Sequence, residues 1–113
     1  MPQIDEADYS ALFQWLAFEG VTVKAVTLHP TAIRFRQTVD EALIAAMPDN
    51  VYSKPILVSA DDCVLDGNHR ATAHLQRNEP VQALKLSKRF PEALRLLFTF
   101  AGTYTIESQP IRN

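Results

Sequence analysis

Apolar residues recur every three to four positions near the start of the chain, the spacing of one helix face. The pattern predicts an amphipathic helix over residues 5–19, ended by Gly20. Three acids, Asp5, Glu6 and Asp8, stand where a helix dipole favours negative charge. We expect the apolar side chains of this helix to pack into the core: Ala7, Ala11, Leu12, Trp15, Leu16 and Phe18.

Two further helices are predicted downstream. The stretch 38–47 opens with Thr38, followed three residues later by Glu41, which is the spacing of a capping box. The stretch 90–101 has helical periodicity, with a proline in its first turn and Gly102 just past its end.

Four shorter stretches, rich in β-branched and apolar residues and bounded by turn residues, predict strands. They are residues 21–28, 54–58, 63–65 and 81–86. A polar turn containing Asp61 and Asp62 joins the second stretch to the third and predicts a hairpin. The tail from Thr103 onward carries β-forming residues that could add an edge strand. We therefore expect one α+β domain over residues 1–113, a small mixed β-sheet packed with helices, with its core in residues 21–87.

Composition narrows the class of protein. The chain has 113 residues, of which 47% are hydrophobic and 21% charged, and its net charge is −2. This balance is typical of a soluble globular domain, and no apolar run approaches the ~18 residues of a membrane span. The first residues lack the basic and apolar regions of a signal peptide, so we expect a cytoplasmic protein. Cys63 is the single cysteine, which excludes an internal disulfide, and we interpret it as a small buried hydrophobe.

Candidate chemistry is concentrated where the hairpin passes into the next helix, at Asp66-Gly67-Asn68-His69-Arg70. Gly67 allows a sharp turn and a close approach of a ligand to the backbone. Asp66 is placed to cap the helix by accepting from the N–H of Asn68 or His69. The free amides of a helix start, the forked guanidinium of Arg70 and the imidazole of His69 suit a phosphate group.

Three basic residues follow along the same helix, namely Arg70, His74 and Arg77, at spacings that put them on one face. Ala71 and Leu75 are expected to turn the other way, towards the core. The residues themselves leave two interpretations open, a phosphate-contacting stripe or an ordinary solvated helix face.

The residues 54–58, 64–75 and 80–81 together resemble the core of the ParB/sulfiredoxin superfamily. In that superfamily a pair of strands leads into a glycine-containing motif of the DGHHR, GERR or GCHR kind at the start of a helix. Residues 21–28, with Pro30 after them, resemble its first strand. The resemblance implies an α+β fold that binds a nucleotide, with the phosphates at the helix N-terminus.

Departures from the superfamily's patterns restrict the activity. Sulfiredoxins carry their catalytic cysteine directly before the His-Arg pair, where this chain has Asn68, so their reduction chemistry is not expected. ParB-type segregation proteins continue into a helix-turn-helix region, for which we expect no room here. The motif is closer to the ParB-like nuclease and free-serine-kinase branches, which implies nucleic-acid cleavage or phosphoryl transfer.

The first hypothesis is therefore a domain that binds ATP or CTP with Mg²⁺. Gly67, Asn68, His69 and Arg70 would surround the phosphates, whereas Asp66 and His69 are the candidate catalytic residues. Asp66 is also the candidate metal ligand, because reactions at phosphate need a metal or a base nearby. Whether hydrolysis or transfer follows binding is left open.

Two rival hypotheses come from other classes. A nuclease or DNA-binding adaptor would contact backbone phosphates through basic side chains, namely Arg70, His74, Arg77, Lys85, Lys88 and Arg89. A catalytically inactive module would instead bind a protein partner, or a second copy of itself, through its aromatic C-terminal half. No hypothesis requires a membrane.

Overall fold

The chain folds into five α-helices, one short 3₁₀ helix (Pro30–Ala32) and six strands within the residues that the computed structural model describes. These residues are 2–4, 8–35, 39–100 and 103–105, the first and last stretches as backbone only. The strands are β1 (Pro2–Ile4), β2 (Val23–Leu28), β3 (Ile56–Val58), β4 (Val64–Asp66), β5 (Val81–Leu86) and β6 (Thr103–Thr105). The helices are α1 (Tyr9–Phe18), α2 (Glu41–Ala45), α3 (Asp49–Tyr52), α4 (Asn68–Arg77) and α5 (Phe90–Thr99).

A mixed sheet of four strands lies at the centre, in the order β2, β5, β3, β4. β5 is antiparallel to β2 and parallel to β3, and β3 is antiparallel to β4. Arg34 adds a single parallel bridge to Cys63 beside β4. The α+β class, the mixed sheet and the predicted hairpin are thereby confirmed. Because of these strand directions, the C-terminal end of β4 lies at the same end of the sheet as the first residues of β3 and β5.

Helices cover both faces of this sheet. One face packs against α1 and α5 through a cluster of buried residues: Leu12, Leu16, Val21, Leu57, Leu65, Leu86, Ala93 and Leu97. The other face packs beneath α4 through a second cluster: Ile33, Ile56, Val58, Val64, Ala71, Val81 and Ala83. Successive strand residues alternate between the two clusters, as the pleat requires. Because β3 and β4 are covered on both faces, their apolar runs have no polar side.

The N-terminal helix departs from its prediction in one respect. Residues 5–7 lie outside the described part of the chain, and the observed helix ends at Phe18. Leu12 and Leu16 are fully buried as expected, but the side chain of Phe18 is 88% exposed. Two residues turn a helix by about 200°, so Phe18 faces away from the stripe that contains Leu16. The assignment of Phe18 to the core was wrong, and so was that of Ala11, which is exposed.

The second predicted helix, over residues 38–47, is shorter in the structure, where α2 spans Glu41–Ala45, and the short helix α3 after Pro48 was not predicted. α2 is capped by Asp40, whose carboxylate accepts from the N–H of Ala42 at 2.9 Å. The predicted cap, Thr38, lies outside the described residues, and the capping-box assignment was wrong in its position.

The possible edge strand in the tail from Thr103 was predicted only in outline, and its partner β1 was not predicted. β1 and β6 pair in an antiparallel two-stranded sheet, with Pro2 opposite Thr105. No helix among the described residues is both long and apolar enough to cross a membrane.

The β3–β4 turn does more than reverse the chain. The Oδ1 atom of Asp61 accepts from the N–H of Phe90 at 2.9 Å, so this side chain caps α5 from a distant loop. A 2.5 Å hydrogen bond from the Ser59 hydroxyl holds the pKa of Asp61 below its ordinary value, aided by the Phe90 amide and the charge of Arg89. Cys63 is fully buried, as predicted.

Replacing Asp61 with alanine should lower the free energy of unfolding at pH 7 by about 1 kcal/mol, the usual cost of a lost helix cap. Since the folded carboxyl has a lowered pKa, its contribution is present above the ordinary aspartate value and is lost as the pH falls below about 4. Urea unfolding at pH 7 and pH 3 measures both effects. Asp49→Ala, at an exposed acid in α3, is the matched control. A constant difference between wild type and Asp61→Ala across this range would contradict the cap.

Candidate functional site

The turn between β4 and α4 is built around Gly67. Its backbone has φ 95° and ψ 30°, in the left-handed region that favours glycine, and it is the N-cap of α4. The N-cap residue is a glycine and therefore offers no side chain to cap the helix. Gly67, and not Asp66, occupies the N-cap position. The first amide groups of an α-helix have no acceptor within the helix itself.

The lack of room for a Cβ atom, as well as the positive φ, requires a glycine at position 67. A Cβ atom at position 67 would lie 2.8 Å from Cγ2 of Ile56 and 2.8 Å from Nη2 of Arg70. Ile56 is a fully buried residue of β3, so it cannot move aside. The guanidinium of Arg70 thus folds back over the turn from which its own helix starts.

Asp66 is buried at the end of β4, with 4% of its surface exposed. Its Oδ2 atom accepts a 2.6 Å hydrogen bond from the hydroxyl of Tyr9, in the first turn of α1. Burial raises the pKa of Tyr9 above its ordinary value, the negative charge of Asp66 raises it further, and Arg70 opposes the shift through its charge and a hydrogen bond. Tyr9, Asp66 and Arg70 therefore form one cluster contributed by three elements.

The sequence reasoning missed Tyr9. A signal was present, because Tyr9 stands three and seven residues before Leu12 and Leu16, on the buried stripe of its helix. A tyrosine on a buried stripe needs a partner for its hydroxyl.

A contact with the backbone determines the tautomer of the neutral His69 ring. Its Nε2 atom accepts from the backbone N–H of Asp40 at 3.0 Å. A backbone amide only donates, so this bond requires a lone pair on Nε2 and places the proton of a neutral ring on Nδ1. His69 thereby ties the start of α2 to the first turn of α4.

Asn68 is buried, with 4% of its surface exposed, and its backbone carbonyl accepts from the hydroxyl of Thr72 at 2.9 Å. Of the predicted phosphate-binding side chains, that of Arg70 lies over Gly67, whereas that of His69 contacts the backbone of Asp40.

The expected basic stripe along α4 is not formed as predicted. His74 is only 7% exposed, whereas Leu75, expected in the core, is 40% exposed. The imidazole of His74 contacts two backbone carbonyl oxygens instead of solvent. The ring of Tyr52 stacks on it, with 3.9 Å between the ring centroids. Arg77 does lie at the surface, with its guanidinium 4.1 Å from the centre of the Tyr52 ring. Ala71 is fully buried, as predicted.

The remaining basic candidates lie elsewhere. Strand directions place the connection after β5 at the end of the sheet opposite Gly67. Each of these cations is near a carboxylate: Lys85 with Asp62 at 2.8 Å, Lys88 with Glu92 at 3.7 Å and Arg89 with Asp61 at 3.9 Å. The predicted nucleic-acid residues are thus separated into two groups.

Within the described residues, no three His, Cys, Asp or Glu side chains come close enough to hold a metal ion. Asp66 is the acidic group nearest to the turn in sequence, and it contacts Tyr9.

Comparison with known proteins adds no family. No protein-family model, curated protein or solved structure matches this chain.

Replacing Tyr9 with phenylalanine should lower the free energy of unfolding by about 1.5–3 kcal/mol, the usual range for a hydrogen bond to a charged group. The buried Asp66 carboxylate loses its hydroxyl donor while the aromatic packing is kept. Equilibrium urea unfolding gives the value. Tyr52→Phe is the control, because that hydroxyl contacts Glu79 at an exposed position. Equal losses in the two variants would show that the Tyr9–Asp66 bond has no special weight.

Replacing Gly67 with alanine should destabilise the chain more than replacing Gly20 with alanine. Both glycines have positive φ, 95° and 78°, but a Cβ at Gly20 meets nothing within 4 Å. The extra cost at Gly67 is that of overpacking, about 1–3 kcal/mol. Thermal unfolding of the two variants measures the difference. Similar losses would mean that Ile56 and Arg70 yield easily.

Proposed function

We propose that this chain is a ParB/sulfiredoxin-like domain that binds the phosphates of a nucleoside triphosphate at the start of α4. The observation that carries the proposal is the helix start at Gly67, an N-cap residue without a side chain, with the guanidinium of Arg70 folded over it. The four-stranded mixed sheet, which delivers β4 directly into this turn, is compatible with such a fold.

The backbone supplies the first part of the binding site. The amides at the start of α4 have no acceptor within the helix, Gly67 adds no side-chain cap, and the helix dipole adds a partial positive charge at the same place. Gly67 presents no side chain between these amides and a ligand. An anion with several oxygens would satisfy more than one of the amides at once.

Arg70 supplies the second part. Its Nε atom is buried and has no hydrogen-bond partner within the described part of the chain. Leaving such a donor unsatisfied is costly, and a phosphate oxygen is the acceptor that a guanidinium fork fits best. The same side chain acts on the hydroxyl of Tyr9, so the cluster with Asp66 holds it close to the turn.

The proposed roles of Asp66 and His69 follow from their contacts. Asp66 orients Arg70 and Tyr9 and would add one oxygen to a Mg²⁺ ion carried by ATP or CTP. His69 would offer its Nδ1 proton to a phosphate, because Nε2 is engaged by the amide of Asp40. If hydrolysis or phosphoryl transfer follows binding, these two side chains are the candidate proton carriers.

The DNA-directed alternative has less support from the geometry. His74 is buried, and Lys88 and Arg89 lie at the far end of the sheet beside carboxylates. A continuous basic surface would be needed for a run of backbone phosphates.

Titration of ATP, CTP, GTP and ADP, each with and without Mg²⁺, tests the proposal by calorimetry. We expect binding by the wild type and an affinity loss of at least about tenfold in Arg70→Ala, since a charge-assisted hydrogen bond is worth about 1.5–3 kcal/mol. Arg70→Lys keeps the charge but loses the fork and should bind with intermediate affinity.

Arg77→Ala is the matched control, because Arg77 has the same side chain on the same helix but lies over Tyr52. Circular dichroism first establishes that each variant is folded. The proposal fails if no nucleotide binds to the wild type, or if Arg70→Ala and Arg77→Ala bind equally well. A short DNA duplex in the same titration, with affinity falling steeply as salt increases, would favour the alternative.

A further inference from the structure

The buried imidazole of His74 makes two contacts that a neutral histidine cannot both satisfy. Its Nδ1 atom lies 3.0 Å from the carbonyl oxygen of Pro80, and its Nε2 atom lies 3.0 Å from the carbonyl oxygen of Tyr52. A carbonyl oxygen only accepts, so each contact is a hydrogen bond only if that ring nitrogen carries a proton. A neutral imidazole has one N–H, and its other nitrogen would then direct a lone pair at an oxygen in a buried site.

The surroundings of His74 include groups that favour and groups that oppose a positive charge. The face of the Tyr52 ring lies parallel to the imidazole, with 5° between the planes, and presents the negative side of its quadrupole. His74 also stands in the last turn of α4, where the helix dipole favours a cation. Burial, at 7% exposure, and the nearby guanidinium of Arg77 oppose the charge.

The titratable and charged groups on the elements around His74 can be named. Tyr52 belongs to α3, and its hydroxyl donates to Glu79 in the connection to β5. Partial burial and Glu79 raise the pKa of Tyr52, so its ring stays neutral around His74. Other groups on packed elements are Glu41 of α2, which contacts Gln76, His29, which contacts Thr31, and Asp49 of α3, which is exposed.

We propose that His74 is a proton-dependent clamp. As an imidazolium it fastens the end of α3, through the Tyr52 carbonyl, and the residue before β5, Pro80, to the C-terminal half of α4. Loss of one proton releases one of these two attachments. The clamp is independent of the proposed nucleotide site, since it uses none of the residues around Gly67.

The direction of the pH dependence follows from proton linkage. The folded chain holds a proton that a histidine in the unfolded chain releases near about pH 6.5. The stability due to the clamp is therefore complete below that pH and is lost as the pH rises. While the proton is bound only in the folded state, the equilibrium constant for unfolding rises by up to about tenfold per pH unit. The contact of His69 differs, because its Nε2 atom accepts a hydrogen bond and therefore carries no proton.

The test begins with the wild-type chain, labelled with ¹⁵N. Side-chain nitrogen spectra recorded from pH 5 to pH 9 report the protonation of each histidine ring. We expect both nitrogens of His74 to remain protonated to a higher pH than those of the exposed His29. The proposal is overturned if His74 loses its second proton at the same pH as His29 or at a lower one.

A pair of variants tests the effect on stability. His74→Gln supplies a donor to one carbonyl and does not titrate, whereas His29→Gln removes an exposed histidine. From pH 6 to pH 9 the unfolding constant of the wild type and of His29→Gln should rise more steeply than that of His74→Gln. Both comparisons retain His69, whose contribution cancels. Parallel pH profiles would overturn the clamp, and if His74→Gln does not fold, the wild-type spectra decide the question.

Discussion

The burial of the β3–β4 hairpin on both faces is the constraint on which the rest of the structure depends. Ile56, Leu57, Val58, Val64 and Leu65 are all fully buried. Two short strands have too little surface to be stable alone, so they require a helical layer on each side. α1 and α5 cover one face and α4 the other. The turn at Gly67 lies at the end of this hairpin, and its shape is set by the side chain of Ile56.

The fold was predictable where a local pattern decides the element. β5 matches its prediction over all six residues, because an alternating run is bounded by a proline and a serine. Predictions failed where a contact with a residue distant in sequence decides the orientation of a side chain. His74 faces inward because of carbonyl groups 22 and 6 residues away, and Asp66 accepts a hydrogen bond from a tyrosine 57 residues away. The motif predicted the strand, the turn and the helix start around Gly67, but not the orientation of their side chains.

The helix that begins at Gly67 carries two histidines with different demands. His69 needs a lone pair on Nε2, and the contacts of His74 ask for two protons on one ring. Both side chains connect α4 to neighbouring short helices, His69 to the start of α2 and His74 to the end of α3. These polar contacts of α4 hold α2 and α3 in place, because the two helices are too short to bury much apolar surface.

The pairing of β1 with β6 joins residues that are about as far apart in sequence as the chain allows, with Pro2 opposite Thr105. Such a pairing closes a very long loop, whose entropic cost makes it a late event in folding. β1 also lies beside β4, and only residues 5–8 separate it from the helix that carries Tyr9. The strand pair of the two ends therefore lies close to the start of the helix whose hydroxyl contacts Asp66. The two ends of the described chain meet beside the candidate site.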